Sequence, residues 1–169
     1  MGFHVRQALP DDREAILEIA NALHPEWFTE LGIEDIAKDL QIEQALVAVD
    51  DERVVGFVIY CVAKDGKTAE LSWIAVRPEL HRRGIGRAMI EVLQAILTEQ
   101  GILALEVSTV APTIEREPYA RTLNFYSAMD FSYVRIDKEW YATGVDRLLL
   151  RKILSRKTMP LDRRLKPSA

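Results

Sequence analysis

The sequence predicts an α/β fold of the α+β kind, a mostly antiparallel sheet flanked by helices, formed by one domain over residues 1–154. Three observations point there. Short runs rich in apolar and β-branched residues alternate with stretches of helical periodicity. Two of the runs are joined only by Asp50, Asp51, Glu52 and Arg53, as the strands of a hairpin are. The densest run, residues 69–76, ends at Pro78 and leads through a basic, glycine-containing loop into a helix.

In chain order, residues 3–8 read as a first strand, and a helix starts after Pro10, with Asp11 and Glu14 at capping-box spacing. Ile16, Leu17, Ile19, Ala20 and Leu23 give this helix its core face, and Cys61, the only cysteine, reads as core filler in an apolar run. The adjacent aromatics Trp27 and Phe28 precede a more polar helix at residues 34–40; they are either core or the lining of an acceptor pocket. Residues 45–49 and 54–62 form the hairpin, and residues 69–76 a strand buried on both faces. Ile85, Met89, Leu93, Ile96 and Leu97 then mark a helix that Gly101 stops. A strand at 102–107, an irregular connection at 110–118, a short helix at 121–129 and strands near 131–136 and 147–153 complete the domain.

The apolar share of 49% and charged share of 28% are those of a globular chain. No run approaches the ~20 apolar residues of a membrane span, and the N-terminus lacks the apolar core of a signal peptide, so the expected compartment is the cytoplasm, without membrane association. The net charge of -4 is uneven: from Arg151 onward there are seven basic residues against Asp162, so the body is the acidic part. An acidic body suits a cationic acceptor better than nucleic acid. The basic tail, residues 155–169, reads as an extended, solvated segment, with docking on the body or on a second subunit of a homodimer as the alternative.

The loop His81, Arg82, Arg83, Gly84, Ile85, Gly86, Arg87, Ala88 stands at a helix start. Unpaired backbone N–H groups and the positive end of the peptide dipole attract anions there, and glycines let a phosphate come close to the backbone. A pyrophosphate cradle is one reading; a glycine turn before a solvated basic helix end is the other. The dinucleotide fingerprint fails because Met89 holds its third glycine position, and the P-loop fails because Gly86 is followed by Arg87 and Ala88.

This stretch resembles the acetyl-CoA signature of the GCN5-related N-acetyltransferases, a Gln/Arg-x-x-Gly-x-Gly/Ala loop after the fourth strand, with Gly84 and Gly86 in place and His81 where Gln or Arg is usual. Leu123 to Phe131 is similar to the family's Phe-Tyr-x-x-x-Gly-Phe helix, matching at Phe125, Tyr126 and Phe131. Asp130 replaces the glycine, and Tyr119 stands where the family often has asparagine. The resemblance covers the chain to about residue 153. It implies the acyl-CoA N-acyltransferase fold, a mixed sheet whose parallel fourth and fifth strands splay apart near Val76. It also implies acetyl-CoA as acetyl donor, bound by Ile74, Ala75 and Val76 on the strand, by the loop residues 81–88, and by Tyr126.

Moving an acetyl group from a thioester to a primary amine needs an unprotonated amine, a stabilised oxyanion and a protonated thiolate. Glu70 is the candidate base and an acceptor contact, six residues before Val76 and so on its face by the period of two; its Ala-Glu-Leu context is similar to the histone acetyltransferase branch. An ordinary strand-end glutamate is the alternative. Tyr126 is the candidate acid or thiol contact, and a backbone amide near Val76 the oxyanion donor. No metal is expected, since three scattered histidines offer no zinc spacing. The expected partner is an amine, either a small molecule or a peptide. A non-catalytic CoA-binding sensor on the same fold is the competing function.

Overall fold

The computed structural model describes residues 2–112 and 117–154; the centre of the 110–118 connection and the basic tail lie outside the described residues. The elements are β1 (His4–Gln7), α1 (Arg13–Ala22), α2 (Glu30–Ile42), β2 (Gln44–Asp50), β3 (Arg53–Val62), β4 (Thr68–Val76), α3 (Ile85–Glu99), β5 (Ala104–Val110), α4 (Glu117–Ala128), β6 (Ser132–Ala142) and β7 (Val145–Ile153). One seven-stranded sheet runs β1-β2-β3-β4-β5-β7-β6, with β4 and β5 parallel and the other neighbours antiparallel. The expected fold is therefore observed.

Two cores hold the layers together. Ile85, Met89, Ile90, Leu93 and Leu97 of α3 and Tyr126 of α4 pack on one sheet face against Leu71, Leu105 and Leu150. Ile16, Ile19 and Ala20 of α1 and Ile36 of α2 pack on the other against Val47, Phe57 and Ile59.

Local starts and stops explain where the elements differ from the sequence reading. The start of α1 is organised by Asp12, not Asp11: a 3-10 turn at Pro10–Asp12 precedes the helix, and the Asp12 carboxylate accepts the Leu9 N–H at 2.7 Å and the Arg6 guanidinium at 2.7 and 3.0 Å. The Arg6 hydrogen bond is the main cause holding this carboxyl below its usual range. Its stabilisation is complete above the unfolded value of about 4 and is lost as pH falls towards the lower folded value. Thr29 starts α2 four residues early, its Oγ1 accepting the Gly32 N–H at 3.0 Å. β6 runs well beyond residue 136, because an exposed edge strand has little apolar periodicity to announce it.

Both α3 and α4 end in the same motif. The Ile102 N–H reaches Leu97 O and the Gly101 N–H reaches Thr98 O, while the Phe131 N–H reaches Tyr126 O and the Asp130 N–H reaches Ser127 O. The left-handed residue is Gly101 in one, with φ of 82°, and Asp130 in the other, with φ of 66°. Asp130→Gly should therefore stabilise the protein by about 1 kcal/mol, the cost of a side chain in that region. Chemical denaturation would show it as a higher midpoint, and an unchanged or lower midpoint would mean that the Asp130 side chain makes up the difference.

Candidate functional site

The sheet opens between β4 and β5. Their ladder pairs Thr68 with Ala104 through Leu71 with Val107 and then stops, while Ser108, Thr109 and Val110 stay on β7. Trp73 to Val76 thus leave β5 behind and remain paired with β3. Because the Arg77 N–H bonds to Val55 O across the β3 side, alternation turns the N–H groups of Ile74 and Val76 toward the opening. At its root, Ser108 Oγ is buried without a hydrogen-bond partner among the described residues, as expected of a position that a ligand completes.

The loop after β4 faces this opening. Arg82 and Gly84 both have positive φ, 63° and 81°, the kind of backbone alternation from which anion-binding concavities are built. The first helical bond of α3 is Ala88 N–H to Gly84 O at 3.0 Å, so the amides of Ile85, Gly86 and Arg87 have no acceptor within the helix. A Cβ on Gly84 would meet nothing within 4 Å, so the space above it is open. Arg82, Arg83 and Arg87 are exposed and make no ion pair among the described residues. These residues fit a pyrophosphate.

Gly86 is needed for a different reason: a Cβ there would lie 3.3 Å from Phe125 Cζ, which is how α4 closes on α3. Tyr126 follows, with its ring 5.3 Å from Phe125 and 5.4 Å from Phe131. Burial, with a smaller contribution from Tyr141, pushes its phenol well above the ordinary value, so it is protonated throughout the neutral range.

Glu70 is exposed, and it does not share a face with Val76. The β3–β4 register passes from Ile59/Trp73 to Tyr60/Leu71, leaving Ser72 as an extra residue. That bulge inverts the alternation: Ile74 and Val76 join Ala69 and Leu71 on the α3 face, whereas Trp73 and Ala75 join the α1/α2 face, as Glu70 does. Glu70 still borders the opening, on the penultimate rung of the ladder opposite Glu106, whose carboxylate is engaged by Arg151 at 2.5 Å.

The same bulge sends Ser72 and Trp73 to one side, where each donates to a carboxylate in or just after α2: Ser72 Oγ to Glu43 at 2.6 Å and Trp73 Nε1 to Asp39 at 2.7 Å. Burial pushes the Glu43 carboxyl up more than the Ser72 bond lowers it, and the negative charges of Asp39 and Glu70 push it further. Cys61 is half-buried on this face and not core filler. Burial and the charges of Glu43 and Glu70 raise its thiol, so it is no ready thiolate at neutral pH. Tyr141, half-exposed on the β6–β7 hairpin, has its phenol raised by burial of the ring, with Arg147 lowering it and the charge of Glu70 adding to the rise. Glu43, Ser72 and Tyr141 were missed in the sequence; two aromatics, Trp140 and Tyr141, next to the Gly144 turn were the only signal for the hairpin.

Trp27 and Phe28 point to different places. Phe28 packs edge-on to Trp73 at 5.8 Å, while Trp27 packs edge-on to His81 at 6.0 Å with the Arg121 guanidinium 5.9 Å from its ring. His81 Nε2 lies 2.8 Å from Val76 O; a carbonyl only accepts, so this nitrogen carries the proton.

The family model described as the Acetyltransferase (GNAT) family matches residues 13–131, from α1 to the end of α4. The chain belongs to the GNAT acetyltransferase family. A [ribosomal protein bS18]-alanine N-acetyltransferase of Salmonella typhimurium is 31% identical over 94 residues, which are 56% of this chain and 58% of that enzyme. The GNAT chain thus matches little more than half the length of that curated relative. Among solved structures, a GNAT-family protein of Desulfovibrio desulfuricans has a TM-score of 0.81 at 22% identity, over 91% of this chain and 100% of that one. The ribosomal-protein-S18-alanine N-acetyltransferase of Escherichia coli gives 0.73 at 21% identity, over 95% and 99%. An aminoglycoside 6'-N-acetyltransferase complexed with coenzyme A gives 0.74 at 14%, over 92% and 99%. At these identities the likeness is one of fold. Among the described residues no GNAT helix is long and apolar enough to cross a membrane, and no group of His, Cys, Asp and Glu could hold a metal ion.

Proposed function

We propose that the protein is an N-acetyltransferase that moves the acetyl group of acetyl-CoA to a primary amine. The observation that supports this reading is the β4–β5 ladder, which stops at Leu71 and Val107 beside the donor-rich start of α3, with Tyr126 of α4 buried in the same core as Ile85 and Met89. Ile85, Gly86 and Arg87 amides with Arg82 and Arg83 would hold the pyrophosphate, and the Ile74 and Val76 edge would pair with the pantetheine amides as an added strand would. Acetyl-CoA supplies an acetyl group on a thioester: the amine nitrogen forms the new C–N bond and the C–S bond breaks.

An alkylammonium acceptor, with a pKa of about 10, must lose a proton first. Glu70 takes it, directly or through water, from the α1/α2 face. Asp39 and Glu43 beside it make this face favourable to a cation. An amide at the Val76 edge stabilises the oxyanion. Tyr126 stands at the leaving sulfur. Burial makes its phenol a weaker acid than a thiol of about 8.5, so it acts on the departing thiolate as a hydrogen-bond donor, and the sulfur takes its proton from solvent.

Release of free CoA thiol from acetyl-CoA, screened across polyamines, amino acids, aminoglycosides and peptide N-termini, tests the reading. The last class is included because the relative's name specifies an alanine of a ribosomal protein. Amine-dependent release with at least one class is the expected result. Tight CoA binding with no release from any class would make the protein a binding module.

Glu70→Gln should lower kcat/KM most at neutral pH, and the variant should approach wild type as pH rises toward the amine's own pKa of about 10. The sign follows from the free amine, which no longer needs a base at high pH. A loss equal at every pH would make Glu70 an acceptor contact, and no loss at all would make it a bystander.

A further inference from the structure

The loop that carries Trp27 belongs by chain order to the acceptor side, yet its indole reaches the opposite end of the site. It packs against His81 at 6.0 Å with an interplanar angle of 89°, and Arg121 of α4 approaches the same ring. His81 in turn donates to Val76 O at the last residue of β4. The backbone also ties the Trp27 N–H to Leu23 O at 2.8 Å, so the indole is presented from the end of α1. The Trp27 loop and β4 thus meet at one imidazole, with Arg121 of α4 against the indole behind it.

We propose that Trp27 is a positioning residue for acetyl-CoA: it holds the His81 imidazole on the Val76 carbonyl, presetting loop 77–84 and the β4 edge before the ligand arrives. The inference rests on acetyl-CoA being held at the start of α3. An imidazole freed from its aromatic neighbour samples other rotamers, and the hydrogen bond to Val76 must then be recovered on binding. Immobilising one side chain weakens affinity by roughly three- to tenfold. His81 is one position where this chain departs from the Gln or Arg usual in the family loop. A short ring that needs a wall to keep its place explains why an aromatic stands behind it.

Calorimetric titration with CoA over a double-mutant cycle of Trp27 and His81 tests this, with the His81 side-chain nitrogen NMR signals as a second readout. Trp27→Ala should weaken CoA binding three- to tenfold, and Trp27→Phe, which keeps an aromatic edge, by less than twofold. His81→Ala should weaken it at least as much as Trp27→Ala, with Trp27→Ala adding nothing in that background. The protected Nε2–H signal of His81 should be present in wild type and Trp27→Phe and lost in Trp27→Ala. Wild-type affinity in Trp27→Ala, losses that simply add, or an unchanged His81 signal would overturn the proposal. A wild-type protein that does not bind CoA would overturn the cradle itself, a result distinct from any of these.

Discussion

Gly84→Asp should abolish CoA binding while leaving the protein folded. The two effects separate because Gly84 is the N-cap of α3, with φ of 81° and open space where a Cβ would go. Asp is among the favoured N-cap residues, tolerates this backbone region better than most, and already adopts it at Asp130 with φ of 66°. Its carboxylate would also interact well with the helix dipole, which offsets part of the cost of about 1 kcal/mol for a side chain at this φ, so the melting temperature should fall by only a few degrees. The same carboxylate occupies the space assigned to a phosphate. A like charge at about 4 Å near a protein surface is worth about 4 kcal/mol, so calorimetry should show affinity falling by at least a hundredfold. Unchanged affinity would remove the cradle from the start of α3.

Tyr126→Phe should lower turnover by roughly ten- to a thousandfold, at or below the usual contribution of a general acid, with CoA affinity nearly unchanged. The ring stays, and with it the contacts to Phe125 and Phe131 at 5.3 and 5.4 Å. Only the proton goes. Because burial raises the phenol, it is protonated everywhere below its ordinary value of about 10. Wild-type kcat should therefore show no loss from Tyr126 ionisation between neutral pH and that value. Turnover within about twofold of wild type would make Tyr126 a packing residue.

The parts of the molecule written in local chemistry were legible in the sequence. Gly101 and Asp130 each stand where a left-handed helix stop was expected, and both have positive φ. The order of strands and helices followed from periodicity, because each amphipathic helix must cover a sheet face. What the sequence hid was the bulge at Ser72. Nothing in the apolar run through β4 marks an extra residue, since either face of this strand is packed and both faces accept the same side chains. The period of two then misplaced Glu70. Asp39 and Glu43 were equally silent, because their bonds to Trp73 and Ser72 cross 34 and 29 residues of sequence. Trp27 and Phe28 were recognised as a pair, but only the fold shows that one serves His81 and the other Trp73. The family motif predicted the loop, and the substitution of His81 within it proved compatible with a bond to β4.

The central claim is that the opened edge of β4 takes the pantetheine arm as an added strand. Amide hydrogen exchange along β4, with and without CoA, tests it most directly. The Ile74 and Val76 amides, which alternation turns toward the opening, should slow strongly on CoA addition, together with those of Ile85, Gly86 and Arg87. The Ala75 amide, already facing β3, should change little. Slowing at the start of α3 without any change at Ile74 and Val76 would contradict the account, because the ligand would then be held by its phosphates alone and the opening between β4 and β5 would have another use.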